Sequence, residues 1–286
     1  MNFKYFFRYK FKKKRNRIYI LNTNDLSKLK KELSKVRFFG LDTEFDWRST
    51  YYPRISIIQI VTDRSLFLID CLKVDPISAI KEILEDPNFL KIFHSVRSDA
   101  TVLSNCLSIK TKNVFDIQQA DKILFEGEIR SYGKIVKNFF GVNLKKNETN
   151  SNWLKRPLSE SQKKYAFEDV DFLIEIYQLQ RKQLNKLNMF DEVKKNSDTE
   201  ANLGNQSLKQ MRFLRQEKKL SKRKKEIFIW REDVAEEDNV PPNFIFKDKY
   251  LKQLSKIDIK DIHARKEIMT IFGDSKLTDR FISRFK

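Results

Sequence analysis

The chain has 286 residues, 40% of them hydrophobic, which suits one medium domain with a smaller companion and excludes a wholly disordered chain. Its formal net charge of +19 favours a polyanionic partner. No apolar run nears the roughly 20 residues of a spanning helix, and residues 1–17 lack the apolar core of a secretory signal, so a cytoplasmic protein with no membrane partner is expected.

Residues 1–17 hold eight Lys or Arg and no acid, interleaved with Phe3, Tyr5, Phe6, Phe7, Tyr9 and Phe11. They read as a flexible basic aromatic arm. A short strand is predicted at 19–21, then a helix over 24–36 with Leu26, Leu29 and Leu33 at helical spacing. Strands follow at 37–42, 55–61 and 65–69; a loop with Trp47, Tyr51, Tyr52 and Pro53 separates the first two. The turn Thr62-Asp63-Arg64 makes the last two a hairpin. Helices at 76–84, 97–107, 118–124 and 131–140 then alternate with strands at 90–93 and 114–115. A hairpin followed by such alternation predicts an α/β domain with a mixed sheet covered by helices.

Gly141 ends a helix, and 142–157 is polar and irregular. Ser159-Glu160-Ser161-Gln162 is a capping-box pattern that opens a helix expected to run to about Leu187. The polar stretch 192–206, which contains Gly204, is expected to be a linker. A basic helix over 208–230, an acidic turn leading to Pro241-Pro242 and shorter helices then form a small all-helical module. The expected organisation is an arm at 1–17, an α/β domain at 18–191, the linker, and a helical domain at 207–286. The arm and residues 201–286 each carry +8, whereas 18–200 carries only +3. Basic flanks around a near-neutral core suit phosphate contacts without sequence readout. Cys71 and Cys106 lack metal-ligand spacing and are expected to be reduced.

Three places carry possible chemistry. In Phe39-Gly40-Leu41-Asp42-Thr43-Glu44 the alternation of a strand puts Asp42 and Glu44 on one face. Two acids so placed repel unless a cation lies between them, though Asp-x-Glu alone reads equally well as a strand end in solvent. Next, an apolar strand ends at His94, and Asp99 falls in the first turn of the following helix, where an acid also suits the helix dipole. Last, Tyr165, Asp169, Phe172 and Ile176 share one helical face, with Glu168, Asp171 and Glu175 expected on the solvated side. Asp169 among apolar neighbours needs a cation or hydrogen-bond donors, and Tyr165 one turn earlier can bring its hydroxyl beside it. Oxygen-only donors on three elements suit hard cations.

These segments resemble the ribonuclease D family of 3′-5′ exonucleases. Residues 39–45, Tyr51-Tyr52-Pro53 and Ile57-Ile58-Gln59-Ile60 resemble its first motif. Residues 94–99 with Leu103 resemble the second, and Tyr165 to Val170 the third in its tyrosine-bearing form, preceded by the similar Trp153-Leu154-Lys155-Arg156-Pro157-Leu158. Trp230-Arg231-Glu232, Ala235, residues 239–242 and Phe246-Lys247-Asp248 resemble one HRDC domain, where some members of the family carry two. Phe167 and Glu168 are bulkier than is usual in the family. The resemblance implies a ribonuclease-H-like fold and two divalent ions, Mg²⁺ or Mn²⁺. By that resemblance Asp42 would bridge both, Glu44 and Asp169 would complete the shell of the first, and Asp99 would hold the second, directly or through water. Tyr165 would orient the attacking water, and Thr43, Phe45 and His94 would contact the terminal nucleotide. The implied substrates are transfer RNA precursors and other small structured RNAs, with no obligate protein partner. Single-stranded DNA is the alternative substrate, and an inactive nucleic-acid-binding protein the alternative class.

Overall fold

The computed structural model describes residues 14–145 and 147–286, so most of the expected arm lies outside the described residues. Arg15, counted with the arm from sequence, is buried, and a strand already starts at Asn16. The chain divides into two compact units. One comprises residues up to Asp46 together with Arg54–Gln206, and the other Trp47–Pro53 together with Ser207–Lys286.

In the first unit the described strands are β1 (Asn16–Ile20), β2 (Phe38–Asp46), β3 (Arg54–Val61), β4 (Ser65–Asp70), β5 (Leu90–Phe93) and β6 (Val114–Asp116). They form one sheet in the order β1-β4-β3-β2-β5-β6. β3 runs antiparallel to both its neighbours, while the β1–β4, β2–β5 and β5–β6 pairs are parallel, giving the expected mixed sheet. Because side chains alternate along a strand, the sheet divides two cores. Leu41, Ile58, Ile60, Phe67 and Ile69 pack with α1 (Thr23–Leu33), α2 (Ile77–Glu85) and α3 (Arg97–Leu107). Ile57, Val61, Leu66, Leu68, Ile92 and Phe115 pack with α4 (Ile117–Leu124), α5 (Tyr132–Phe140), α6 (Glu160–Glu168) and α7 (Leu173–Lys186).

Three expectations fail in this unit. The helix predicted from 159 to 187 is capped as expected, with Ser159 and Gln162 exchanging both bonds, but it breaks between α6 and α7. Asp171 does not face solvent; it is buried, and Arg15 donates to its carbonyl (2.7 Å) and carboxylate (3.1 Å) and to Glu175 (2.5 Å). A cation 156 residues upstream therefore holds the break, which helical periodicity cannot reveal. The expected linker is instead helical over α8 (Phe190–Gly204). Val193, Ser197, Ala201 and Gly204 give it a small-residue face, and its polar side chains serve edge strand β6. Ser197 accepts from the Asp116 N–H (2.9 Å) and Asp198 from that of Val114 (3.1 Å).

The second unit contains α9 (Leu208–Gln216), α10 (Lys222–Glu237), α11 (Pro242–Ile245), α12 (Leu251–Leu254), α13 (Ala264–Phe272) and α14 (Ser275–Phe285). The basic helix predicted over 208–230 is thus split, with Ser221 in an extended conformation before α10. Its core includes Ile227, Trp230, Leu254, Ile268, Phe281 and, from the segment after β2, Tyr51.

Candidate active site

The site forms where β2 outruns its neighbour. β5 pairs with β2 only along Phe38–Gly40, so the acids of β2 lie beyond the parallel ladder. Gly40 permits a close approach on that strand: a Cβ there would come within 2.6 Å of Val61 and 2.9 Å of Leu173 on α7. Asp42 accepts from the Thr43 N–H (3.0 Å), and Gln59, opposite on β3, donates to Glu44 at 3.4 Å. The ladder shifts register between Glu44 and Phe45. Thr43 faces away from its acidic neighbours, and its hydroxyl donates to Asp99 at 2.7 Å. Thr43 thus supports a carboxylate, a different use from the nucleotide contact expected. Phe45 is half-buried beyond the register shift.

Asp99 is brought in by the sharp turn between β5 and α3. Ser95 takes a left-handed φ of 63° there, unusual for a residue with a Cβ. The buried carboxylate of Asp116 holds the turn, accepting from the N–H groups of Ser95 (2.9 Å), Val96 (3.0 Å) and Gln118 (2.8 Å). Nothing in the motif reading distinguished Asp116; α4 starts at Ile117, one residue earlier than predicted, and Asp116 is its N-cap. His94 is tied to the protein: its Nε2 lies 3.1 Å from the Arg130 carbonyl and 3.3 Å from the Gln118 amide, and its ring meets Tyr132 edge-on.

Asp169 caps the end of α6, its N–H bonded to the Tyr165 carbonyl (3.0 Å). The Tyr165 hydroxyl donates to the Asp169 carboxylate and lies 3.3 Å from Thr149. Its ring packs 6.0 Å from that of Trp153. The segment carrying Trp153 is fixed by Arg156, which forks onto Asp70 at the end of β4 (2.6 and 2.7 Å) and donates to the Ser56 hydroxyl (3.0 Å). Ser56 in turn donates to the Trp153 carbonyl.

Electrostatics bind the three segments into one site. Burial, then the charge of Asp99, pushes Asp42 well above the usual carboxylate range. Burial raises Asp99 to about 7. Glu44 is raised by burial and then by Asp42, Asp169 and Asp99 in turn. Tyr165 is also raised, by burial and by Asp169, so its hydroxyl keeps its proton at neutral pH. Four mutually repelling carboxyls with oxygen donors alone are the donor set of a hard cation. Among the described residues no three Asp, Glu, His or Cys side chains already close as a ligand cage. The residues fit divalent ions in kind, and a cation would offset the repulsion that raises Asp42 and Glu44.

The chain is similar to known exonucleases. The model of the 3′-5′ exonuclease family matches residues 18–185, and that of the HRDC domain matches 221–285. A ribonuclease D from Desulfotalea psychrophila is 32% identical over 258 residues, covering 83% of this chain and 66% of its own length. One from Pseudomonas paraeruginosa is 31% identical over 245 residues, covering 80% and 65%. The chain therefore spans a little under two thirds of these relatives. Among solved structures, Escherichia coli RNase D, described as an exoribonuclease involved in structured RNA processing, superposes with a TM-score of 0.82 at 23% identity, over 94% of this chain and 75% of that one. This chain belongs to the 3′-5′ exonuclease family, with an HRDC domain following its exonuclease domain.

Proposed function

We propose that the protein is a metal-dependent 3′-5′ exoribonuclease of the ribonuclease D type, releasing nucleoside 5′-monophosphates from the 3′ ends of transfer RNA precursors and other small structured RNAs in the cytoplasm. The observation that supports this reading is that the charges of Asp42, Asp99 and Asp169 all bear on Glu44, and that of Asp169 on the Tyr165 hydroxyl, with Asp99 buried and the other three acids half-buried. Asp42, Glu44, Asp99 and Asp169 would hold two divalent ions, Mg²⁺ or Mn²⁺. Such ions, when bound, stabilise the charge that develops on the attacking and leaving oxygens of a phosphodiester.

The chain's own residues supply the remaining work. Tyr165, kept protonated, offers a hydroxyl that can orient a water at the acid cluster. Thr43 fixes the Asp99 rotamer, and Asp116 fixes the turn that brings Asp99 in. Lys and Arg outside the acid cluster would hold the phosphate backbone of the RNA, as the basic composition of residues 201–286 suggests. His94 and Phe45 remain candidates for contact with the terminal nucleotide. The ribonuclease D relatives and the RNA-bound ribonuclease D of Trypanosoma brucei, similar in fold with a TM-score of 0.54, support RNA as the substrate.

The deciding experiment is a 5′-labelled RNA incubated with the protein and Mg²⁺ or Mn²⁺, beside a matched DNA. Stepwise shortening from the 3′ end with mononucleotide release, abolished by chelation and faster on RNA, is expected. Equal rates on DNA would overturn the assigned substrate, and metal-independent binding without mononucleotide release would overturn the activity.

A further inference from the structure

Tyr132 is the first residue of α5 and is buried. Its ring stands edge-on to the His94 ring, centroids 5.8 Å apart at 64°, so it touches the segment that leads into Asp99. Its hydroxyl accepts the Phe172 N–H at 3.0 Å, across 40 residues of sequence. Phe172 closes the break that begins at Asp169, and its N–H precedes α7, where backbone donors have no partner within the helix. A phenol oxygen that accepts this bond still has its own proton to donate. The charges that bear on the hydroxyl include Asp169, Asp171 and Asp42. One buried side chain thus spans the segments that carry Asp99 and Asp169.

We propose that Tyr132 is a positioning residue for the metal site, holding the Asp169–Phe172 turn against the His94–Asp99 segment so that these two acids keep the spacing that ion binding requires. The proposal rests on the metal-nuclease reading above. Tyr132 differs from Tyr165 in where its hydroxyl goes: Tyr165 reaches a carboxylate directly, whereas Tyr132 is bonded to backbone and sets where a carboxylate stands. Without that bond the Phe172 N–H is orphaned, and the break can drift toward the continuous helix that the sequence pattern favours.

The test is Tyr132→Phe, which keeps the ring on His94 and removes only the hydroxyl. Calorimetric titration of Mn²⁺ into the RNA-free protein should show affinity weakened about tenfold to a hundredfold, as for other supports of metal ligands. The kcat should fall with the KM for RNA unchanged, and excess Mn²⁺ should restore part of it. Binding of Mn²⁺ within twofold of the parent, whatever the change in thermal stability, would overturn the role. A second measurement needs no variant: in spectra of the parent labelled at tyrosine Cζ, Mn²⁺ should broaden the Tyr132 line along with that of Tyr165, and an unchanged Tyr132 line would overturn the proposal. Asp169→Asn separates the two readings. A parent that binds Mn²⁺ no better than Asp169→Asn defeats the metal-site assignment itself, whereas a parent that binds and a Tyr132→Phe variant that matches it defeat only the role of Tyr132.

Discussion

At the scale of single residues, the site is a set of acids whose charges oppose one another. Asp169→Asn keeps the shape and removes a charge, so turnover should collapse while RNA binding, which the proposed function assigns to Lys and Arg, should stay near that of the parent; a gel-shift and a mononucleotide-release assay check both. Tyr165→Phe should lower kcat by about 10²–10⁴-fold if its hydroxyl positions the attacking water, and a smaller loss would reduce Tyr165 to packing. The pH dependence follows from the raised carboxyls. Asp99 titrates near 7 when folded, far above its unfolded range near 4, so between those values the folded state holds the extra proton. Stability of the metal-free protein should therefore fall as pH rises through that window. Metal competes with the same protons, so Mn²⁺ affinity should rise with pH through about 7. Thermal melts at pH 6 and pH 8, with and without Mn²⁺, should show the larger metal-induced rise in Tm at pH 8.

At the scale of elements, close approaches and buried pairs set where the carboxyls stand. Gly40→Ala would put a methyl within 2.6 Å of Val61 and 2.9 Å of Leu173, costing about 1–3 kcal/mol and displacing the strand that bears Asp42. Both the Tm and the activity should drop. In the same unit, Arg130 forks onto the fully buried Asp121 of α4 at 2.6 and 2.7 Å. Burial still raises Asp121 to about 6, so the pair is costly to hold and more costly to break. Arg130→Met should cost about 3–5 kcal/mol, and adding Asp121→Leu should recover much of it. Denaturant titration of the single and double variants measures this. Periodicity placed most helices within a few residues, because buried faces recur at the helical period. It failed at the α6–α7 break and at α8, where the deciding partners are Arg15, Tyr132 and the edge strand β6. Those partners are distant in sequence.

At the scale of the whole molecule, the second unit is assembled from two stretches of chain. Tyr51 is fully buried there, its hydroxyl 3.2 Å from the buried Glu232, its N–H bonded to Asn239 and its ring under Arg212. A chain cut after Gln206 would leave Trp47 and Tyr51 without that core, so it should bind a hydrophobic dye and precipitate more readily than the full chain. Residues 1–13 hold five Lys or Arg, and removing them, while sparing the buried Arg15, should weaken RNA binding. The slope of log affinity against log salt should flatten by about 0.7 for each phosphate that the shortened chain no longer neutralises. The sequence by itself determined the α/β and helical division, the family and which acids are candidates for the site, because alternation, helical period and motif order are local properties of a chain. The tertiary structure alone decided that Thr43 serves Asp99, that Asp116 and Tyr132 shape the site, and that Tyr51 belongs to the helical unit. Each of those depends on which distant groups meet once burial leaves every polar atom in need of a partner.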